Sequence, residues 1–312
     1  MRRILINKNN EVRSGYKIIL FTIIYGIFTS AFSGIFGGVL GGYIRNKYSR
    51  ELSYEQIYAL VNNYMSNSVQ GMFISQLLGI IALFLTLFIL LKGLEKKRFK
   101  DIGLNSITKN FNGLVWGLAL GAISMTLIFI VLLVTGNISL INSLLKPKFT
   151  QNTLWGIFLF IIVAINEETM CRGYILNTLN QMGKPWLSAG ISSAVFAALH
   201  LGNPNVEFVG ILNIFLVGML FSFMYIRTKS LWMPIGYHLT WNYFQGNVFG
   251  FPVSGTSGAT GIYRIGELKE NILTGGFFGP EAGILATVVL ALGFLVVWKI
   301  TDKNSIKQTN II

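Results

Sequence analysis

The chain has 312 residues, of which 53% are hydrophobic and only 12% charged, with a mean hydropathy of +0.60. A soluble domain carries roughly 25% charged residues, so the composition excludes a water-soluble globular fold and makes a bilayer the natural solvent. The net charge of +13 is dispersed over short loops between apolar stretches, which marks topology determinants beside anionic lipid and argues against a nucleic-acid partner.

Arg2, Arg3, Lys8, Arg13 and Lys17 precede a first apolar segment from Ile18 to Ile44. This segment is longer than a signal-peptide core and has no convincing cleavage site, so it reads as a retained span. Helices are predicted over 17–44, 70–93, 112–135, 153–182, 185–201, 206–227, 231–250 and 278–300, most of them reaching the ~20 residues that cross a hydrocarbon core. The fold class is therefore all-α: a polytopic membrane helix bundle of about eight transmembrane helices in a single domain over 1–312. Within it, 1–150 holds the N-terminal helices, 151–250 the core, 251–277 a polar loop and 278–300 the last helix.

Two connections are long, 45–69 and 251–277, and the second is rich in Gly, Ser and Thr, as expected of a mobile flap or re-entrant loop. With the N-terminus inside, 17 of the 25 Lys and Arg fall on that side, 7 on the other, and Arg172 lies within a span. Both termini are thus expected to be cytoplasmic. Gly34, Gly38 and Gly42, and likewise Gly113, Gly117 and Gly121, recur every fourth residue, the spacing that lets helix backbones approach closely in lipid. Cys171 is the single cysteine and excludes an intrachain disulfide.

The informative residues are those that do not belong in hydrocarbon. The fourth helix places Asn166, Glu167, Glu168 and Arg172 within one span, and each ionisable group costs about 2.5 to 3.5 kcal/mol to insert. Glu168 and Arg172 stand at i, i+4 and can pair, which leaves Glu167 turned about 100° away and free for chemistry. Both of the histidines, His200 and His238, also fall in predicted helices, and His238 shares a face with Asn242 at i+4. Counted from the assigned cytoplasmic ends, Glu167 and His200 lie roughly 22 Å deep and His238 roughly 11 Å. Unwinding near Pro234 and Gly236 would remove part of that offset.

The three groups of residues also carry a resemblance. Glu167 to Arg172 reads EExxxR, Phe196 to His200 reads FxxxH, and His238 to Asn242 reads HxxxN, in that order. The sequence resembles the CPBP family, the CAAX protease and bacteriocin-processing (Abi-type) intramembrane endopeptidases, over about Leu154 to Asn247. The resemblance implies a membrane peptidase in which Glu167 and His200 activate the attacking water, Glu168 and Arg172 support them, and His238 and Asn242 donate to the oxyanion. On the cofactor it leaves two options, none or zinc (Zn). Glu167, His200 and His238 could supply three ligands, but no HExxH is present, and the metal-free route is preferred.

The implied partners are a small peptide or membrane-anchored precursor and the lipid bilayer, in a multi-pass protein of a bacterial cytoplasmic membrane. Two other functions use the same residue types. One is a non-catalytic bacteriocin self-immunity or regulatory protein of this fold; the other is a proton-coupled transporter, against which stands the absence of two related halves with broken helices.

Overall fold

The computed structural model describes residues 5–7, 11–48, 52–256 and 261–302. It is an all-α membrane bundle whose only strand pairing among the described residues is one short antiparallel pair. The chain divides into two compact units, Met1–Arg98 and Phe99–Ile312.

The first unit contains α1 (Ser14–Lys47), α2 (Tyr54–Asn67) and α3 (Val69–Phe88), the last continuing as a wide π-helical turn over Ile89–Glu95. Helix α2 occupies what the sequence presents as a loop. Its start is fixed by a capping box: the Ser53 hydroxyl accepts from the Gln56 amide at 3.3 Å and the Ser53 amide donates to Gln56 Oε1 at 2.8 Å. The glycine expectation fails for α1, because a Cβ at Gly34, Gly38 or Gly42 would meet nothing within 4 Å among the described residues. It is Gly37 and Gly41, one turn-face over, that lie against Val61 and Ile57 of α2. Lys17 near the start of α1 is buried with its Nζ 2.9 Å from Glu95 Oε2, so this buried cation has its counter-charge at the end of α3.

The second unit contains α4 (Phe111–Val134), α5 (Gln151–Glu168), α6 (Pro185–Leu199), α7 (Phe208–Thr228), α8 (Trp232–Tyr243) and α9 (Ile284–Ile300), with β1 (Ile138–Leu140) pairing antiparallel to β2 (Ile265–Leu268). Across both units five stretches are long and apolar enough to cross a membrane, Ser14–Lys47, Val69–Glu95, Thr108–Val134, Gln151–Met182 and Phe208–Thr228. Helices α6 and α9 are apolar but shorter, and α8 is a short helix buried along most of its length.

Helix α8 is the centre of this unit, and α4 is built to receive it. A Cβ at Gly117 would collide with Met233 O and one at Gly121 with Tyr237 O, while a Cβ at Gly236 would come within 2.7 Å of Leu114 O. The two backbones therefore touch, as small residues permit where lipid supplies no hydrophobic drive. Thr240 Oγ1 donates to Leu118 O at 2.8 Å and the Tyr237 hydroxyl to Ser124 Oγ at 2.9 Å across the same seam. A Gly117→Val variant should lose about 1 to 3 kcal/mol through overpacking, read as a lower unfolding midpoint in detergent.

The chain is helical, not unwound, at Pro234 and Gly236. Helix α8 starts at Trp232 with Pro234 in its first turn, where a missing amide costs little. Its start is fixed by the connection ahead of α4: the Leu231 amide donates to Gly103 O at 3.0 Å, and Trp232 Nε1 to Asn105 O at 2.8 Å.

The segment after α8 is no loose flap where it is described. Phe249 stacks on Phe129 of α4 at 4.0 Å between centroids, Phe251 and Phe278 are buried, and the Ile262 amide donates to Asn247 O at 2.8 Å. Asn142 clasps it from the other side, donating to Ile262 O and accepting from the Arg264 amide.

Candidate active site

The acidic helix changes its winding at the motif. Helix α5 is α-helical to Glu168 and then runs as a π-helix over Thr169–Leu176. Wide turns of this kind leave backbone carbonyls out of line and occur often at functional sites. Cys171 O also accepts from the neighbouring helix, from the buried Ser192 hydroxyl of α6 at 2.7 Å. A second π-helical turn, Phe244–Val248, follows α8 directly.

The two adjacent carboxylates have different environments. Glu168 is fully buried, with Oε1 accepting from Arg172 Nη1 at 3.0 Å and from His238 Nδ1 at 3.0 Å. The Glu167 side chain is 23% exposed, and its Oε2 lies 3.8 Å from His238 Nε2. Arg172 is fully buried, its guanidinium 4.4 Å from the centroid of Phe196 and 5.3 Å from that of Phe221. Cation–π contact on two faces compensates part of the desolvation of that charge. His238 stacks on Phe221 at 5.4 Å, so one phenyl ring fixes both the arginine and the histidine.

His200 closes α6 and is half-buried, its Nδ1 2.8 Å from Phe196 O. The Phe196 ring makes edge contacts with both histidines, 4.8 Å from His200 and 6.2 Å from His238. These contacts also fix ring chemistry. A carbonyl can only accept, so Nδ1 of neutral His200 carries the proton and Nε2 offers a lone pair. Glu168 Oε1, already accepting from arginine, likewise makes His238 Nδ1 a donor.

Glu167, Glu168, Arg172 and His238 are thus brought into direct contact, and Phe196 links His200 to them. Asn242 is buried one turn beyond His238 on α8. The possible metal triad is a different matter. Among the described residues no three His, Cys, Asp or Glu side chains form a metal-ligating group, so Glu167, His200 and His238 are not assembled as a zinc ligand set.

Sequence reasoning missed a third carboxylate. Glu281, in the short turn Pro280–Ala282 ahead of α9, is buried and its Oε2 accepts from the Ser254 amide at 2.8 Å and the Ser254 hydroxyl at 2.9 Å. Burial pushes its carboxyl above the ordinary carboxylate range, opposed by the Ser254 donors and by the nearby His200. Glu281 falls at the start of the predicted helix 278–300, but a lone glutamate at a helix end gives no periodic signal.

Comparisons with known proteins fall on the same segment. Residues 149–244 match the family model described as Rce1-like, the type II CAAX prenyl endopeptidase Rce1-like domain. The chain is 35% identical over 83 residues to an Escherichia coli protein named "Uncharacterized 24.3 kDa protein", covering 26% of this chain and 37% of that one. It is 32% identical over 84 residues to a Bacillus subtilis protein named "Putative membrane peptidase YdiL", covering 27% of this chain and 32% of that one. The match thus spans about a third of the length of these curated relatives. No solved structure matches the chain. Glu167, Glu168, Arg172, His200, His238 and Asn242 all lie within 149–244, the segment that matches the Rce1-like type II CAAX prenyl endopeptidase model.

Proposed function

We propose that the chain is an intramembrane endopeptidase in which Glu167 and His200 activate water and His238 and Asn242 hold the oxyanion. The observation that carries this reading is the division between neighbouring carboxylates. Glu168 is sealed in and committed to Arg172 and His238, while Glu167 is the one left open beside an imidazole.

The chemistry follows from the ring assignments. A water bound between Glu167 and His200 gives up a proton to the carboxylate or to the lone pair on His200 Nε2, and its oxygen attacks the scissile carbonyl carbon. The negative charge moves to the carbonyl oxygen. When the tetrahedral intermediate collapses, the C–N bond breaks and the proton is passed to the departing amine nitrogen, so the base is regenerated. His238 can donate to the oxyanion from Nε2 only as a doubly protonated ring, since Nδ1–H is held by Glu168; Glu167 and Glu168 are the counter-charges for that cation.

The two histidines would therefore act in opposite senses, one accepting and one donating. The substrate class is a small peptide or membrane-anchored precursor, and the bacterial relatives support a bacterial cytoplasmic membrane as the site of action. The direct test is hydrolysis of an internally quenched prenylated CAAX peptide by the purified full-length chain in micelles. Asn242→Ala should lower kcat by about 10²–10³ with KM nearly unchanged, as removal of an oxyanion donor does. An equal rate in the variant would remove Asn242 from the site, and no hydrolysis by the wild type across such probes would count against the peptidase reading.

A further inference from the structure

We propose that Glu281 is a positioning residue for His200, a buried carboxyl tied to the turn after His200 through Ser254 and Asn203 rather than bonded to the ring as Glu168 is to His238. This rests on the reading of His200 as a base, and it adds a residue from beyond the matched segment, which ends at 244.

The geometry is a relay of named contacts. Three residues after His200, Asn203 Nδ2 donates to Ser254 O at 3.0 Å. Ser254 in turn presents both its amide and its hydroxyl to Glu281 Oε2. The turn that carries Glu281 is fixed from α7, where the buried Asn213 donates to Glu281 O at 2.8 Å and Gly283 O at 3.0 Å, and itself accepts from Thr287 Oγ1 at 2.7 Å. The backbone fits closely around it: a Cβ at Gly255 would collide with Pro204 O, and one at Gly279 with Pro252 O. Gln245, on the π-turn after Asn242, is fully buried, donates to Pro252 O at 2.7 Å, and acts on the Glu281 carboxylate together with His200.

A buried carboxylate is expensive to desolvate and is retained only where it is paired. Burial disfavours the ionised form; the two Ser254 hydrogen bonds oppose that, and a protonated His200 adds to them. His200 Nδ1–H points at Phe196 O, so Glu281 acts on the ring through space. When Nε2 takes the proton of the attacking water, the imidazolium and the carboxylate become an ion pair in a low-dielectric setting, and the pair is dissolved when that proton leaves with the amine.

The test uses the full-length protein in micelles. Glu281→Gln keeps the size and an acceptor for Ser254 but removes the charge. It should lower kcat on the quenched prenylated CAAX peptide by roughly 10- to 100-fold, part of what a general base supplies, with KM within about twofold. Glu281→Asp should restore part of the rate. Isotope-labelled histidine gives a readout that needs no substrate, because the chain has only two histidines: the His200 ring resonances should move in Glu281→Gln while those of His238 stay.

If Glu281→Gln fails to fold, Ser254→Ala should give the same changes at smaller size. Unmoved His200 resonances, or a loss of rate confined to KM, would overturn the proposal. A wild type that leaves the peptide intact would instead count against the peptidase reading, and the histidine spectra would still decide the pairing.

Discussion

Replacing Glu167 with glutamine should lower kcat by about 10²–10⁴-fold while the protein expresses and unfolds like the wild type. The expectation rests on the isolation of this side chain: it is partly exposed, and its ion-pair partner is the His238 ring at 3.8 Å rather than a buried arginine. Glutamine fills the same volume and keeps an oxygen toward the site, but it cannot take a proton from water. Glu168→Gln should behave differently, because it strips Arg172 and His238 of a shared acceptor and so reduces stability as well as rate. Turnover and thermal midpoint measured on both variants separate the roles. If Glu167→Gln kept wild-type turnover, this carboxylate would not be the base.

The largest stability effect is expected at Arg172. Arg172→Ala should cost about 3 to 5 kcal/mol, the penalty for leaving a buried charge uncompensated. Glu168 would lose its arginine partner inside a closed core, and Phe196 and Phe221 would lose the guanidinium between them. Lysine is a poor replacement, since an ammonium cannot lie flat between two rings. The double variant Glu168→Gln, Arg172→Met removes both charges and should recover much of the unfolding midpoint while remaining slow, because His238 still lacks its carboxylate. Equal midpoints for wild type and Arg172→Ala in detergent would show that the pair contributes nothing to the fold.

Hydropathy places most of the helices well: 112–135 is realised as Phe111–Val134, and 185–201 as Pro185–Leu199. The i, i+4 spacing of Glu168 and Arg172 likewise anticipates their contact. Three features escape such reasoning for identifiable reasons. Helix α2 mixes Asn62, Asn63 and Asn67 with apolar residues and is too short to span, so its signal is the Ser53–Gln56 capping box rather than its mean hydropathy. The π-turns alter hydrogen-bond register without altering composition. Glu281 meets Ser254 and Gln245 from separate stretches of chain, with Asn203 bonded to Ser254 in turn, and nothing in one local window announces that meeting. The contact of Glu168 with His238 joins residues 70 apart, and no local spacing encodes it.

The hydroxyl that Ser192 lends to Cys171 O has a mechanical meaning. In hydrocarbon no solvent stands ready to replace a lost donor, so sliding the acidic helix against the helix bearing Phe196 and His200 would break a buried hydrogen bond with nothing to take its place. The two helices share a latch that favours one register.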